Sequence, residues 1–276
     1  MNELYNHVAL KRFMKNSYMY GQKLIDNSEI TICSVSCLDD FLDSMRLLHD
    51  SYLKNGLINR QQGDLIFTQQ FFSSGNKLFT VKSDRKKIGT IAIFKKEKNK
   101  IPAENVFPDL IKKNSIYNLK SAEIGSLSIC QEFRLTSVLK KMYLATMLYA
   151  VAKYGVEHFY IQVDEHKRKF YQDILLFQQV GECRSHPSYK QRQAALLQVN
   201  FRDNLPLLQD LLKSQYGCTL PIRKLLDNFD LYGIWKELRK TEPDDTNSFW
   251  NKESINIYCN KCGVKANELT IFKSGY

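Results

Sequence analysis

Long apolar runs are missing from this sequence of 276 residues. A helix that spans a bilayer needs roughly 18 or more consecutive apolar residues, and no stretch approaches that length. The opening residues, MNELYNHVALKRFMKNS, carry charges that interrupt the apolar core a signal peptide requires. We therefore expect a protein that neither crosses a membrane nor is secreted, and that resides in the cytoplasm.

A disulfide framework is also missing. The seven cysteines are an odd number and are scattered along the chain, so we expect reduced thiols. Cys259-Asn-Lys-Cys262-Gly has the spacing of half a zinc knuckle, but a structural zinc site needs four ligands. No second CxxC or His pair follows, and Cys218 and His186 would have to come from distant parts of the chain. No metal is expected.

Acidic residues are in the minority: 29 Asp and Glu stand against 40 Lys and Arg, a net charge of +11. Such a surface suits an acidic or phosphorylated partner, whether nucleic acid, an anionic membrane, a nucleotide cofactor or an acidic protein. An AT-rich genome that favours Lys and Asn codons would produce the same excess. The basic residues are spread along the chain without a recognition motif, so nucleic-acid binding is not expected.

The chain divides into three regions by pattern. Residues 1–29 hold a basic amphipathic segment, which can contact a membrane or pack on its own domain. Residues 30–201 alternate strand and helix patterns. Residues 202–276 are predicted to be an appendage, with helices over 205–213 and 222–239 and a small hairpin or partly ordered tail in SINIYCNKCGVKANELTIF.

The middle region predicts an α/β (α+β) fold. The predicted elements are a strand 29–34, a helix from a cap at Ser36 to Asn55, a hairpin 77–82 and 88–94, a polar connection 95–121, a strand 122–129, a helix 136–154, a strand 158–163, a helix 165–175, and strands 178–183 and 194–201. The strand–helix–strand unit over 122–163 forces its two strands parallel. We therefore expect a mixed, mostly antiparallel sheet with one central parallel pair.

The start of the helix at Thr136 or Ser137 lies next to the carboxyl end of the strand that precedes it. Ligands of α/β sheets bind at this edge, and a helix N-terminus favours a phosphate group. The turn after Ile129 is accordingly a candidate binding site.

Several segments together resemble the GNAT N-acyltransferases. They are HDSYLKNGLI (49–58), AEIGSLSI (122–129), MYLATMLYAVAKYG (142–155), HKRKFYQDILLFQQVGE (166–182) and YKQRQAALLQVNF (189–201). Within that superfamily the likeness is to the FeeM-type long-chain N-acyl amino acid synthases, which are related to the acyl-homoserine lactone autoinducer synthases. It covers roughly residues 30–201.

The chain departs from the GNAT superfamily at two places. Ordinary acetyltransferases have a glycine-rich turn whose amides bind the pyrophosphate of acyl-CoA, whereas residues 131–137 contain no glycine. The synthase branch also lacks such a turn and resembles enzymes that take acyl groups from acyl carrier protein. Leu176 stands where the superfamily usually has Gly before Phe177.

The resemblance implies direct attack of an amine on a thioester, with no covalent enzyme intermediate. Backbone groups near Leu127, Ser128 and Ile129 would then bind the pantetheine arm and the carbonyl. Glu123, a carboxylate in a buried strand, is a candidate general base, directly or through water. A structural ion pair would explain it as well. Tyr171 is a candidate acid for the leaving thiol, or an ordinary helix residue that faces the sheet.

Other candidate residues surround this centre. Arg134, Ser137, Lys140 and Lys141 lie at the helix N-terminus, where they suit the phosphate of phosphopantetheine or CoA, or an acidic carrier protein. A solvated basic turn is the alternative. Tyr52 and Arg60 border the acceptor side in this family, and Arg60 is a candidate for an amino acid carboxylate. Phe67, Phe71 and Phe72 line an acyl-chain tunnel or form plain core.

The sequence thus predicts an N-acyltransferase that moves a medium or long acyl chain from acyl carrier protein, or CoA, to an amino acid or similar amine. The thioester is a co-substrate, and no tightly bound cofactor is expected. The main rival is a CoA-dependent acetyltransferase of a small amine or protein. A non-catalytic basic module that binds nucleic acid is the rival from another class.

Overall fold

The computed structural model describes residues 30–59, 63–96, 100–115, 120–134, 137–200, 249–266 and 269. The predicted basic segment 1–29 and the predicted helices over 205–213 and 222–239 lie outside the described residues.

Within the described residues, eight strands form one mixed sheet. They are β1 (Ile30–Ser34), β2 (Lys77–Ser83), β3 (Lys86–Lys95), β4 (Ser121–Ile129), β5 (His158–Asp164), β6 (Gln178–Gln179), β7 (Arg184–Ser185) and β8 (Gln193–Asn200). Their order is β1-β2-β3-β4-β5-β8-β6, and β7 also pairs with β8. The β4–β5 pair is parallel and the other pairs are antiparallel. This confirms the predicted fold class.

The same part of the chain holds five α-helices. They are α1 (Leu38–Lys54), α2 (Pro108–Ser115), α3 (Ser137–Tyr154), α4 (Arg168–Leu175) and α5 (Lys252–Lys261). None of these helices is both long enough and apolar enough to cross a membrane. The N-cap of α1 is Cys37, in extended conformation, so the predicted cap at Ser36 is wrong by one residue. The predicted end of α1 is confirmed, since Asn55 is its C-cap and Gly56 has a φ of 65°.

Two apolar clusters cover the two faces of the sheet. The α3-side cluster contains α3 and part of α4, with Ala122 and Ile124 of β4. The α1-side cluster contains the buried side of α1, with Phe94 of β3 and Tyr160 of β5. Because α3 is apolar on most sides, its packing against the sheet follows directly from the sequence.

The connection between β3 and β4 is more ordered than the predicted polar loop. It contains a 3-10 turn, Pro102–Asn105, and the helix α2. Phe107 and Ile111 are buried in the α1-side cluster, with exposures of 0% and 1%. Ile101, Ala103 and Val106 are buried in the same cluster, and together these side chains hold the segment against the sheet.

The C-terminal segment contains a helix where a hairpin or tail is predicted, and that prediction is wrong. Asn251 caps α5 by accepting a hydrogen bond from the Ser254 N–H at 2.9 Å. Tyr258 of α5 is fully buried, and its hydroxyl donates to the Ile66 carbonyl at 2.7 Å and accepts from the Thr68 N–H at 3.1 Å. These contacts tie α5 to the loop before β2.

Candidate active site

The parallel pair at the centre of the sheet separates part of the way along. Pairing covers three residues of each strand and ends at Glu123 and Tyr160. β4 nevertheless continues to Ile129 and β5 to Asp164. Beyond Glu123 the edge of β4 that faces β5 is therefore open, and its backbone groups are available to a ligand.

A β-bulge in β4 lies next to this opening. The pairing of β3 with β4 shifts register between Thr90 and Ala92, and Ser126 has a φ of 47°. The Thr90 hydroxyl donates to the Ser126 carbonyl at 2.9 Å, which fixes the bulge. Gly125 precedes it, and a Cβ there would lie 3.2 Å from the Phe94 ring. The sequence GS at 125–126 thus bends β4 where the two strands part.

A cavity of about 160 Å³ occupies the opening. Its walls come from β4 (residues 124–127), β5 (162–164), the start of β8 (193–194), and the side chains of Tyr52, Leu57, Tyr143, Lys167, Tyr171, His186, Tyr189 and Arg192. These residues come from both faces of the sheet, so the cavity lies in the gap between β4 and β5 and is lined from either side.

Four of the lining residues are tyrosines, and they form two pairs. The rings of Tyr52 and Tyr189 meet edge to face with centroids 5.6 Å apart, and those of Tyr143 and Tyr171 with centroids 5.7 Å apart. Burial raises the pKa of all four hydroxyls, that of Tyr189 to about 12. All four are therefore neutral at physiological pH and able to donate hydrogen bonds.

Glu123 is buried, with an exposure of 2%. Its Oε2 accepts from the Ala103 N–H at 2.6 Å, and its Oε1 accepts from Nε2 of Gln162 at 2.8 Å. Burial raises the pKa of Glu123 to about 7, although both hydrogen bonds oppose the shift. Gln162 is among the described residues that line the cavity, and Glu123 is not. Seen from the cavity, the Glu123 carboxylate therefore lies behind the side-chain amide of Gln162.

The described lining includes one acidic and two basic side chains. Arg192 donates to Oδ2 of Asp164 at 3.1 Å and to the Gly56 carbonyl at 3.3 Å, so it ties β5 and the end of α1 to the turn before β8. Lys167 is exposed at the start of α4. Burial lowers the pKa of His186 to about 4, so this imidazole is neutral at pH 7. The lining therefore carries one positive charge in excess.

The predicted donor-side residues are distributed along this edge. Leu127 lines the cavity, and the Ser128 hydroxyl lies 3.1 Å from that of Thr90. Ile129 is packed in the α3-side cluster. Arg134 donates from Nη1 to Oδ1 of Asn55 at 3.0 Å and from Nε to the Ile129 carbonyl at 3.3 Å. It thus holds the turn after β4 against the end of α1.

Several predicted residues can be placed only in part. Lys141 lies half-buried on α3. The side chains of Ser137 and Lys140, which also belong to α3, and the whole of Arg60 lie outside the described residues. Their roles, and those of the donor-side residues above, stay predictions.

The phenylalanines considered for an acyl tunnel lie elsewhere. Phe71 and Phe72 are buried in the α1-side cluster, and Phe67 packs beside them on Tyr258. The Phe71 ring meets that of Phe41 edge to face, with centroids 5.2 Å apart. This is the plain-core alternative.

Cys259 and Cys262 are also part of that cluster. Burial raises the pKa of both thiols, that of Cys262 to about 12. Metal binding needs thiolates, so this environment opposes a zinc site. No group of three or more metal-ligating side chains occurs among the described residues.

The residues that sequence reasoning missed are Gln162, Tyr143, Tyr189, His186 and Arg192. Tyr143 lies within an almost uniformly apolar helix, where a tyrosine looks like core. Gln162 carries the one usable signal, because it interrupts an apolar strand, HFYIQVD, with an amide.

A family model supplies the identification. The model of the N-acyl amino acid synthase FeeM matches residues 43–200, more than half of the chain. The chain belongs to the FeeM N-acyl amino acid synthase family. It is therefore an acyltransferase with a GNAT fold, as the resemblance implied.

A solved structure of this family shares the fold. FeeM from uncultured soil microbes is 14% identical, with a TM-score of 0.56 over 66% of this chain and 98% of FeeM. The CoA-dependent acyl-homoserine lactone synthase BjaI is also 14% identical, with a TM-score of 0.47 over 70% of this chain and 92% of BjaI. The spermidine N-acetyltransferase SpeG from Vibrio cholerae is 13% identical, with a TM-score of 0.42 over 64% of this chain and 96% of SpeG. No curated protein sequence matches.

Proposed function

We propose that this acyltransferase joins a medium or long acyl chain to the amine of an amino acid, with acyl carrier protein as the preferred donor and CoA as the alternative. The observation that carries the proposal is the cavity where β4 and β5 part, which both faces of the sheet reach, in a chain of the FeeM family. Two substrates that must react directly need such a common point.

The two faces suit different substrates. Tyr143 and Tyr171 belong to the α3-side cluster, and this side also holds the turn and helix N-terminus where the phosphate of a thioester donor is expected. Tyr52 packs on the opposite cluster, next to Tyr189. We assign the donor to the first side and the amine to the second.

The donor side supports acyl carrier protein over CoA. The turn after β4 is a 3-10 segment, Gln131–Phe133, in a stretch without glycine. A backbone that binds pyrophosphate closely normally uses glycine. The charge of +11 complements an acidic carrier protein. We assign the reaction to the cytoplasm, an assignment that fits the six described cysteines, all of which are free thiols.

Each proposed role follows from position. The open backbone edge of β4 near Leu127–Ile129 donates to the thioester oxygen, which becomes negative as the amine attacks. Tyr171, a neutral hydroxyl at the cavity, protonates the departing thiolate. Both oxygens of Glu123 accept hydrogen bonds from the protein. Because Glu123 does not line the cavity and lies behind Gln162, a base role for it would run through water.

The decisive experiment is mass spectrometry of lipid extracts from a bacterial host that expresses the full chain. Empty vector and the Tyr171→Phe variant serve as controls. The proposal expects a new series of N-acyl amino acids that is absent with empty vector and much reduced with the variant. The purified enzyme is then assayed with an amino acid and thioesters of about 8 to 16 carbons, the chain length proposed, on acyl carrier protein or on CoA. If neither kind of thioester serves as a donor, the proposal is wrong.

The acetyltransferase rival predicts a different result. It requires acetyl-CoA to be the best donor in the same assay, with activity falling as the acyl chain lengthens. The third alternative, a module that binds nucleic acid, explains neither the family membership nor the cavity.

A further inference from the structure

The amide of Gln162 is held in one orientation. Its Nε2 donates to Oε1 of Glu123 at 2.8 Å, and the other oxygen of Glu123 is fixed by the Ala103 N–H at 2.6 Å. An ionised carboxylate accepts hydrogen bonds and cannot donate, so it must face the NH₂ end of the amide. The carbonyl end of the amide is thereby turned away from Glu123.

That carbonyl oxygen has no partner within the described structure. Oε1 of Gln162 is buried, and none of the described groups donates to it. A buried acceptor without a hydrogen bond is costly, and most such atoms in proteins are paired. Because Gln162 also lines the cavity, the missing donor is expected from a molecule that enters it.

The position of Gln162 suits the acceptor amine, which is the substrate that carries an N–H group. Glu123 is paired with Phe94 and Tyr160 of the α1-side cluster, so Gln162, two residues beyond Tyr160 on β5, faces the side assigned to the amine. A neutral primary amine has two N–H donors and one lone pair. An acceptor that holds one N–H directs the lone pair elsewhere, here toward the thioester across the open strands.

We propose that Oε1 of Gln162 binds the N–H of the acceptor amine, and that Glu123 acts through Gln162 by fixing the direction of its amide. The inference rests on the proposed function for the identity of the amine. Gln162 is then the residue that touches the substrate, and Glu123 is a positioning residue. This role does not require Glu123 to take a proton.

The test compares two ligands that differ only in the N–H. N-dodecanoylglycine carries the amide N–H of the product, and O-dodecanoylglycolate has an ester oxygen in its place. Calorimetry with the full wild-type chain is expected to show roughly tenfold tighter binding of the N–H ligand, as for one buried hydrogen bond. Gln162→Met should abolish this preference. Glu123→Gln should reduce it, because the new amide can donate to Oε1 and turn Gln162 around.

Gln193→Met is the matched control, since Gln193 is the same residue type, lines the same cavity and lies on the neighbouring strand β8. It should keep the full preference. An equal preference in Gln162→Met and wild type would overturn the inference, as would wild-type binding that ignores the N–H.

A second pair of ligands, N-dodecylacetamide and dodecyl acetate, differs in the N–H but lacks the carboxylate, and it separates this inference from the proposed function. If wild type binds neither glycine-derived ligand but prefers the amide over the ester through Gln162, the amino acid assignment fails and the inference stands. If wild type shows no N–H preference in either pair, the inference is overturned.

Discussion

Glu123 couples the stability of the molecule to pH. Burial raises its pKa from 4.5 to about 7. Between these two pH values Glu123 is mostly protonated in the folded chain and mostly ionised in the unfolded chain. The stability that this group contributes is complete below its unfolded pKa and is lost as pH rises through about 7. The loss corresponds to about 3 kcal/mol at most.

Glu123→Gln should therefore make the protein more stable than wild type above pH 7, although less active. Urea unfolding from pH 5 to 8 measures the difference, which should widen with pH. Asp43→Asn, an exposed carboxyl on α1, should follow the wild-type curve. A constant difference at every pH would contradict the raised pKa.

The same carboxyl should control the pH profile of activity. Glu104, Tyr52 and Tyr189 also interact with it, and the two tyrosines stay neutral in this range. Protonated Glu123 would donate to Oε1 of Gln162 and reverse the amide. We expect kcat/KM, calculated for the neutral form of the amine, to fall below about pH 7, and Glu123→Gln to remove that limb, as measured by initial rates over pH 5.5 to 9.

Tyr171→Phe should lower the turnover of alkyl thioesters by about 10²-fold or more, within the usual range for a lost general acid. The defect should shrink with an aryl thioester, whose thiolate leaves without a proton. Tyr149→Phe, a buried tyrosine elsewhere on α3, serves as the control for folding. A defect of equal size with both donors would assign Tyr171 a packing role.

At the residue scale the sequence points to two candidate residues, whose roles stay predictions. A carboxylate in a buried strand and a tyrosine in a matching motif are enough to point to Glu123 and Tyr171. Gln162, Tyr189 and Arg192 gain meaning only through contacts across strands, such as the 2.8 Å bond from Gln162 to Glu123. Those contacts depend on register, which a single sequence leaves open.

At the scale of elements, α4 ends in a conformation that its sequence does not favour. Leu176 is its C-cap, with φ 60° and ψ 20°, the left-handed region. This explains why the superfamily usually has Gly there: a side chain in this region costs roughly 1 kcal/mol. The departure noted in the sequence is thus a strained cap.

Leu176→Gly should change stability little, since the roughly 1 kcal/mol of strain that it removes is offset by the loss of a half-buried side chain. Chemical unfolding at a fixed pH measures it. Leu176→Ala keeps the strain and loses the same packing, so it should destabilise. If both variants change stability equally, strain is not the cause.

Elements with a strong local pattern are predictable from the sequence. The hairpin β2–β3 and helix α3 need only alternation, apolar content and a terminal Gly155, whose φ is 63°. Helix α5 is different. Its weak apolar pattern gains stability from Tyr258, whose hydrogen-bond partners lie 190 and 192 residues away in the chain. A local pattern carries no trace of such partners.

At the scale of the whole molecule, the division into a domain 30–201 and an appendage 202–276 stays a prediction. The described part of the appendage nevertheless shares a core with the domain. Ile255, Tyr258 and Leu269 belong to the same apolar cluster as Phe41 of α1. We therefore expect α5 to unfold together with the sheet.

Gly63 tests this coupling. A Cβ at this position would overlap the carbonyl carbon of Cys262 and lie 2.6 Å from the carbonyl oxygen of Lys261. The next residue, Asp64, donates its N–H to that Lys261 oxygen at 2.9 Å. Both contacts involve backbone, which cannot move aside cheaply, so Gly63→Ala must displace the end of α5 or the loop.

We expect Gly63→Ala to destabilise the whole molecule by about 2 kcal/mol or more, the range for overpacking combined with a lost hydrogen bond. Gly75→Ala is the control for a loop glycine, since a Cβ there would lie 3.5 Å from the flexible side chain of Lys95. The φ of Gly75 is 85°, so this control variant carries backbone strain of its own. Hydrogen exchange should show α5 and α1 losing protection in one step in Gly63→Ala. Selective loss in α5, with α1 unchanged, would mean that the C-terminal helix is an independent unit despite the shared core.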